Sequence, residues 1–215
     1  PQAFWFRVAA AAPRVDGVPR PGDSGPLLDL PKSCAIPDLA ALDGRESWAH
    51  VRVGWNPEGL GIAIEAEGLG ANAKSPDRPE GFANVSLWID TRDTRNVARA
   101  TRFCHRFHAP LTLGRDKKSL NAEVEQRPIA RATADAPIAH SSHFRHRAEL
   151  LKKGWKLEIF LPAKVLRGYD PDVNRRLGFA YQVSDAERED QFLGVGRDFP
   201  VGENPGLWST LELKG

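Results

Sequence analysis

Apolar and polar positions alternate with a period of two along much of this chain. Ala49, Val51, Val53 and Trp55 alternate with His50, Arg52 and Gly54, and Leu60, Ile62, Ile64 and Ala66 follow after Asn56-Pro57-Glu58-Gly59. Two such runs around an Asn-Pro-x-Gly turn predict a β-hairpin. The same alternation recurs at Val85, Leu87 and Ile89, at Trp155 to Leu161 behind a Lys152-Lys153-Gly154 turn, at Leu177 to Val183, and at Leu207 to Leu213. Helical periodicity is nearly absent, and one short turn over Pro162 to Arg167 is the best candidate. Many short alternating strands between Gly/Pro turns predict an all-β fold, an antiparallel β-sandwich of jelly-roll or immunoglobulin-like type, with at most one or two short helical turns. No alternating βαβ units appear, which excludes a Rossmann-type nucleotide fold.

Proline marks out a second region. Pro13, Pro19, Pro21, Pro26, Pro31 and Pro37 rule out helix and central strand there. The chain is expected to be a single domain over 1–215, with 1–30 an extended segment packing on it.

The 215 residues carry 30 Lys+Arg against 28 Asp+Glu, a formal charge of +2. That balance argues against an electrostatic nucleic-acid binder. No apolar run approaches the ~18 residues of a membrane span. No basic start precedes an apolar stretch at the N-terminus, so no secretory signal is read there. Cys34 and Cys104 allow one disulfide, or two free and partly buried thiols.

Chemistry is sparse in the motifs. No Gly-x-Ser-x-Gly elbow, phosphate loop or His-Glu-x-x-His is present, so no enzyme is expected. His140, His143 and His146 are spaced by three, as are His105 and His108. On a strand that spacing points neighbours to opposite faces, which disfavours a shared metal ion. Thr91 to Lys118 is rich in arginine, including Arg92, Arg95, Arg99, Arg102 and Arg106. It reads either as a solvated mobile loop surface or as a cluster gripping an anion or sugar hydroxyls.

The tryptophans say more. Trp55 and Trp155 share parity with aliphatic residues and belong in the core. Trp88 alternates with Ser86 and Asp90, and Trp208 with Thr210 and Glu212, so each points away from the aliphatic face of its strand. Either a loop or the proline-rich segment covers them, or they form an aromatic platform on a polar sheet face, suited to the apolar C–H face of a sugar.

Ala41-Leu42-Asp43-Gly44, Val51 to Trp55, Glu58-Gly59-Leu60, Val85 to Asp90, the Trp155-to-Pro162 strand and Asn204-Pro205-Gly206-Leu207-Trp208 with Leu211-Glu212-Leu213 resemble family-9 carbohydrate-binding modules. Ile89 to Asp93 and Arg102 to Phe107 resemble a subgroup from planctomycete-type bacteria. The resemblance spans about residues 25 to 213 and implies a DOMON-related β-sandwich that holds a glycan end between two aromatic rings, with structural calcium. By position it places Phe82 and Trp208 as the stacking aromatics. Arg102 or Arg106 becomes a basic hydroxyl ligand, and Trp88 and Asn204 complete the expected site. Ser86 and Ala83 stand where the family carries acidic residues. Related DOMON domains bind haem, but a chain without Met has no Met/His ligand pair. The expectation is therefore a non-catalytic domain whose partner is an oligosaccharide or polysaccharide. The alternative is a structural or protein-interaction sandwich that has lost sugar binding.

Overall fold

The computed structural model describes residues 5–8, 27–28, 30–36, 44, 46–68, 82–115, 118–185, 188–194, 196 and 198–214. Twelve strands are present among them: β1 (Trp5–Val8), β2 (Ala49–Asn56), β3 (Gly59–Glu67), β4 (Ala83–Asp90), β5 (Cys104–Leu113), β6 (Leu120–Ala122), β7 (Glu125–Arg127), β8 (Arg145–Leu151), β9 (Gly154–Pro162), β10 (Arg176–Asp185), β11 (Gln191–Phe192) and β12 (Ser209–Leu213). Helix among the described residues is limited to 3-10 turns at Lys32–Cys34, Ser141–His143, Ala163–Val165 and Pro205–Leu207.

The strands make two sheets. Sheet A runs β1-β12-β10-β4-β5-β6, with β11 on β10 and β7 on β5, and sheet B runs β2-β3-β9-β8. All neighbours are antiparallel except β1 beside β12. The β2–β3 hairpin turns where the sequence expects it, and the Asn56 side chain accepts from the Glu58 and Gly59 amides at 2.9 and 3.0 Å. Gly59 is required by crowding, because a Cβ there would sit 2.2 Å from the Leu161 carbonyl oxygen.

The apolar halves of the alternating strands meet between the sheets. Val85, Leu87 and Ile89 from β4, Phe107 and Leu111 from β5, and Phe179 and Val183 from β10 pack against Val53, Ile62, Ile64, Trp155 and Ile159 from sheet B. Trp155 is fully buried and Trp55 joins the same layer, as their parity requires.

One expectation changes. Thr91 to Lys118 is not a solvated loop throughout, because Cys104–Leu113 forms β5, which pairs with β4 on one side and with β6 and β7 on the other in sheet A. Phe107, Ala109 and Leu111 point into the core, while Arg106, His108, Pro110 and Thr112 take the other face. The period of two is present there, but the histidines and arginines lower its hydrophobic contrast.

Gln191 joins the two sheets. From β11 its carbonyl accepts from the Trp48 and Ala49 amides at 3.0 and 2.9 Å, and its amide donates to the Ala49 carbonyl at 2.7 Å and the Tyr181 hydroxyl at 3.2 Å. A side chain thus supplies the backbone partners that the entry to β2 lacks.

Each sheet also buries part of its outer face. Over sheet B, Leu27, Leu28, Leu30 and Cys34 cover Ala63 and Phe160. There the buried Glu158 accepts from the Leu27 amide at 2.6 Å and pairs with Lys156 at 2.8 Å. Of the proline-rich 1–30 segment, residues 1–4, 9–26 and 29 lie outside the described residues. Over sheet A, Ala100, Ile129 and Val201 cover Trp88, Cys104, Ala180 and Trp208. Cys34 and Cys104 therefore lie on opposite outer faces, each a buried thiol not joined to the other, which removes the disulfide alternative. Burial, together with the charge of Asp90, pushes the Cys104 thiol up to about 11. His105 is buried on the core side, between the Gln126 amide at 3.3 Å and the Arg167 carbonyl at 3.4 Å, and burial pulls its imidazole down to about 4.

Three outcomes follow from this packing. Gln191→Leu leaves two amides and a carbonyl unpaired and should cost about 3 kcal/mol in urea unfolding; unchanged stability would remove the brace. Both thiols should resist Ellman's reagent in the native state and react fully in denaturant; rapid native reaction would contradict their burial. Native His105 stays neutral down to about pH 4, whereas an unfolded histidine protonates near 6.5. The unfolded state then binds more protons in that window, so stability falls as pH drops from 6.5 to 4. His108 is lowered in the same way, so His105→Gln should remove about half of that slope, and an unchanged slope would refute the assignment.

Candidate functional site

The register of sheet A sets out its outer face in rows, since residues directly opposite one another share a face. One row reads Gln182, Ser86, His108 and Glu125 across β10, β4, β5 and β7. The next, toward the covered end, reads Ala180, Trp88, Arg106 and Arg127. Toward the open end lie Ser184, Asn84 and Pro110, and then Thr112 opposite Asn121. The side chains become polar as the face emerges from beneath its loop cover.

A cavity of about 780 Å³ opens there, lined by Asn84, His108, Pro110, Thr112, Asn121, Ala122, Glu123 and Arg127. The row of side chains beside it is internally bonded. Ser86 Oγ lies 3.0 Å from His108 Nδ1, and Gln182 donates to Asp190 at 2.9 Å and to Ser184 at 3.0 Å. Burial, then the positive charges of Arg127 and Arg106, hold His108 down at about 4, so the ring is neutral at physiological pH. A neutral imidazole bonded through one nitrogen offers the other as a single donor or acceptor. Arg127 pairs with Glu125 through a 2.6 Å hydrogen bond from Nε. Arg106 is half-buried, 5.8 Å from the Trp88 ring centroid, and burial and the Arg127 charge lower its pKa. The face thus combines an amide, an imidazole, hydroxyls and guanidiniums, the donors and acceptors that bind polyhydroxylated ligands.

The residues singled out from sequence fall in three places. Arg106 borders this cavity by strand register. Trp88 and Trp208 do face outward, but they are 3% and 5% exposed beneath the 198–206 loop. Trp208 Nε1 donates to the Val201 carbonyl at 2.7 Å, and a Cβ on Gly202 would stand 3.4 Å from the Trp88 ring. Phe82 packs in the inter-sheet core. Asn204 uses its side-chain oxygen to cap the Pro205–Leu207 turn, accepting from the Gly206 amide at 2.9 Å. Arg102 is exposed in the turn before β5, 5.3 Å from the Phe103 ring centroid. Phe82, Trp88, Arg102, Asn204 and Trp208 do not line the open cavity. His108, Asn84 and Arg127 line it and Gln182 lies in the row beside it, and none of the four was expected from sequence. Gln182 carried the same signal as Trp88, an off-parity position in a strong strand.

Among the described residues no group of three or more His, Cys, Asp or Glu side chains gathers to hold a metal. His146 Nε2 bonds the Ala122 carbonyl at 2.9 Å, and His140 bonds Ser142 within its own turn. Asp90 accepts from the Arg92 and Thr94 amides at 2.9 and 2.6 Å, and Asp93 accepts from the Thr210 hydroxyl at 2.7 Å. These hydrogen bonds hold the turn after β4. No helix among them is long and apolar enough to cross a membrane.

Neither a family model nor a curated protein matches this sequence. Solved structures do. A family-9 carbohydrate-binding module from Caldicellulosiruptor kristjanssonii in complex with cellotriose superposes with a TM-score of 0.59 at 14% identity, covering 99% of this chain and 94% of that one. The module in complex with glucose gives 0.57 at 14% identity, over 99% and 96%. A candidate carbohydrate-binding protein from Bacteroides uniformis gives 0.55 at 12% identity, over 99% and 100%. The chain thus shares, over nearly its full length, the β-sandwich fold of family-9 carbohydrate-binding modules.

Proposed function

We propose that this chain is a non-catalytic carbohydrate-binding domain that takes an oligosaccharide on the outer face of sheet A. The observation that carries the reading is the polar cavity over Asn84, His108, Asn121 and Arg127, placed beside the bonded row of Gln182 and Ser86. Its donors and acceptors are held by strands, which suits a rigid ligand rich in hydroxyls. The sugar-bound structures of the same fold add support. The reading needs no chemistry from the site. Ser86 and His108 make a hydroxyl–imidazole contact, but a ring that protonates only near pH 4 is a weak base toward a hydroxyl.

The burial of Trp88 and Trp208 favours a second reading, a sandwich that serves protein interaction and has lost sugar binding. Calorimetry separates the two. Cello- or xylo-oligosaccharides should bind, and Gln182→Ala and His108→Ala should each weaken affinity about tenfold, as expected for one lost polar contact of ~1.4 kcal/mol. A melting curve for each variant establishes that it is folded. Absence of any glycan binding at millimolar concentration would move the assignment to the second reading.

A further inference from the structure

Arg106 is the unbalanced charge on this face. Its guanidinium lies 5.8 Å from the Trp88 ring centroid, and its Nε is buried without an acceptor. No ion pair reaches it among the described residues. Directly across the strand pair stands Arg127, a like charge; its ion-pair partner Glu125 also attracts Arg106, but burial and the Arg127 charge outweigh that attraction. The remaining acids nearby do not help, since Asp190 accepts from Gln182 and Glu123 is exposed on the far cavity wall. Neutral His108, two residues along β5, adds no negative charge.

A cation–π contact offsets part of the cost of such a placement, about 0.5–2 kcal/mol, but accepts no N–H. Trp88 Nε1 also lacks an acceptor, but it lies under the 198–206 loop and out of reach of a ligand. A half-buried guanidinium without an ion pair, bordering a polar cavity by strand register, calls for an acceptor-rich anion. A planar carboxylate matches the guanidinium fork better than a single hydroxyl does.

We infer that Arg106 anchors a carboxylate on the sugar, so that the preferred ligand is a uronic-acid-bearing oligosaccharide held by Arg106 at one end and by the Asn84–His108–Asn121 cavity along its body. This rests on the carbohydrate reading above. The matched probes are cellotriose and its C6-oxidised form, cellotriuronate, titrated calorimetrically at low and high salt. The acidic sugar should bind at least tenfold tighter at low salt, and the margin should shrink as salt screens the pair.

Arg106→Gln should abolish the margin, the acidic sugar losing at least tenfold more affinity than cellotriose does, and Arg106→Lys should keep part of it. A melting curve for each variant establishes that it is folded. Equal or tighter binding of cellotriose, or an acidic margin that survives Arg106→Gln, overturns the inference and leaves the carbohydrate reading standing. Equally tight binding of an aspartate-rich peptide also overturns it, because the anion is then recognised without the sugar. If neither sugar binds, the carbohydrate reading itself fails and this inference with it.

Discussion

The apolar layer between the sheets is the constraint on which everything else depends. Val85, Leu87 and Ile89, Phe107 and Leu111, and Phe179 and Val183 must face Trp155 and Ile159 to leave water. Because side chains alternate along a strand, that requirement also decides what faces outward. Ser86, His108 and Gln182 are opposite one another on the outer face since their neighbours are locked inside. A slip of one residue in β5 would bury Arg106 and His108 between the sheets, at a cost the core has no partners to meet. The site is in this sense the reverse side of the core.

The outer faces are treated unequally. Sheet B buries Phe160 and Glu158 under Leu27, Leu28 and Leu30, with the carboxylate satisfied by an amide and a lysine. Among the described residues, sheet A is covered at the end where Trp88 and Trp208 lie, by Val201 and its neighbours, and is open at the other. The rows between change from indole and alanine to amide, imidazole and hydroxyl. Arg106 sits on that boundary by strand register, half-buried and against the Trp88 ring.

Much of the fold was legible because period two is a local signal. β2, β3, β4, β9, β10 and β12 are where the alternation of Val51 to Trp55, Leu60 to Ala66 and their counterparts predicts. β5 was obscured because His105, a polar residue, takes a core position and is kept neutral by burial there. Parity also predicted the outward direction of Trp88 and Trp208. What parity does not contain is the cover, since Val201 and Gly202 reach the Trp88 and Trp208 rings only through the tertiary path of the 198–206 loop. The cavity was illegible for the same reason. Asn84, His108, Asn121 and Arg127 come from four separated stretches, and only strand pairing brings them together. Gln182 was within reach of sequence, had polar off-parity residues been weighed as the tryptophans were.

The most direct test of the account is a map of amide and indole resonances during titration with cellotriuronate and cellotriose. The outer-face account predicts shifts at the Gln182 side-chain amide, the Trp88 indole and the backbone of β5 near His108. The indoles of Trp55 and Trp155, in the inter-sheet layer, should stay in place. Shifts confined to sheet B, or to the exposed loops around Arg102, would contradict the account.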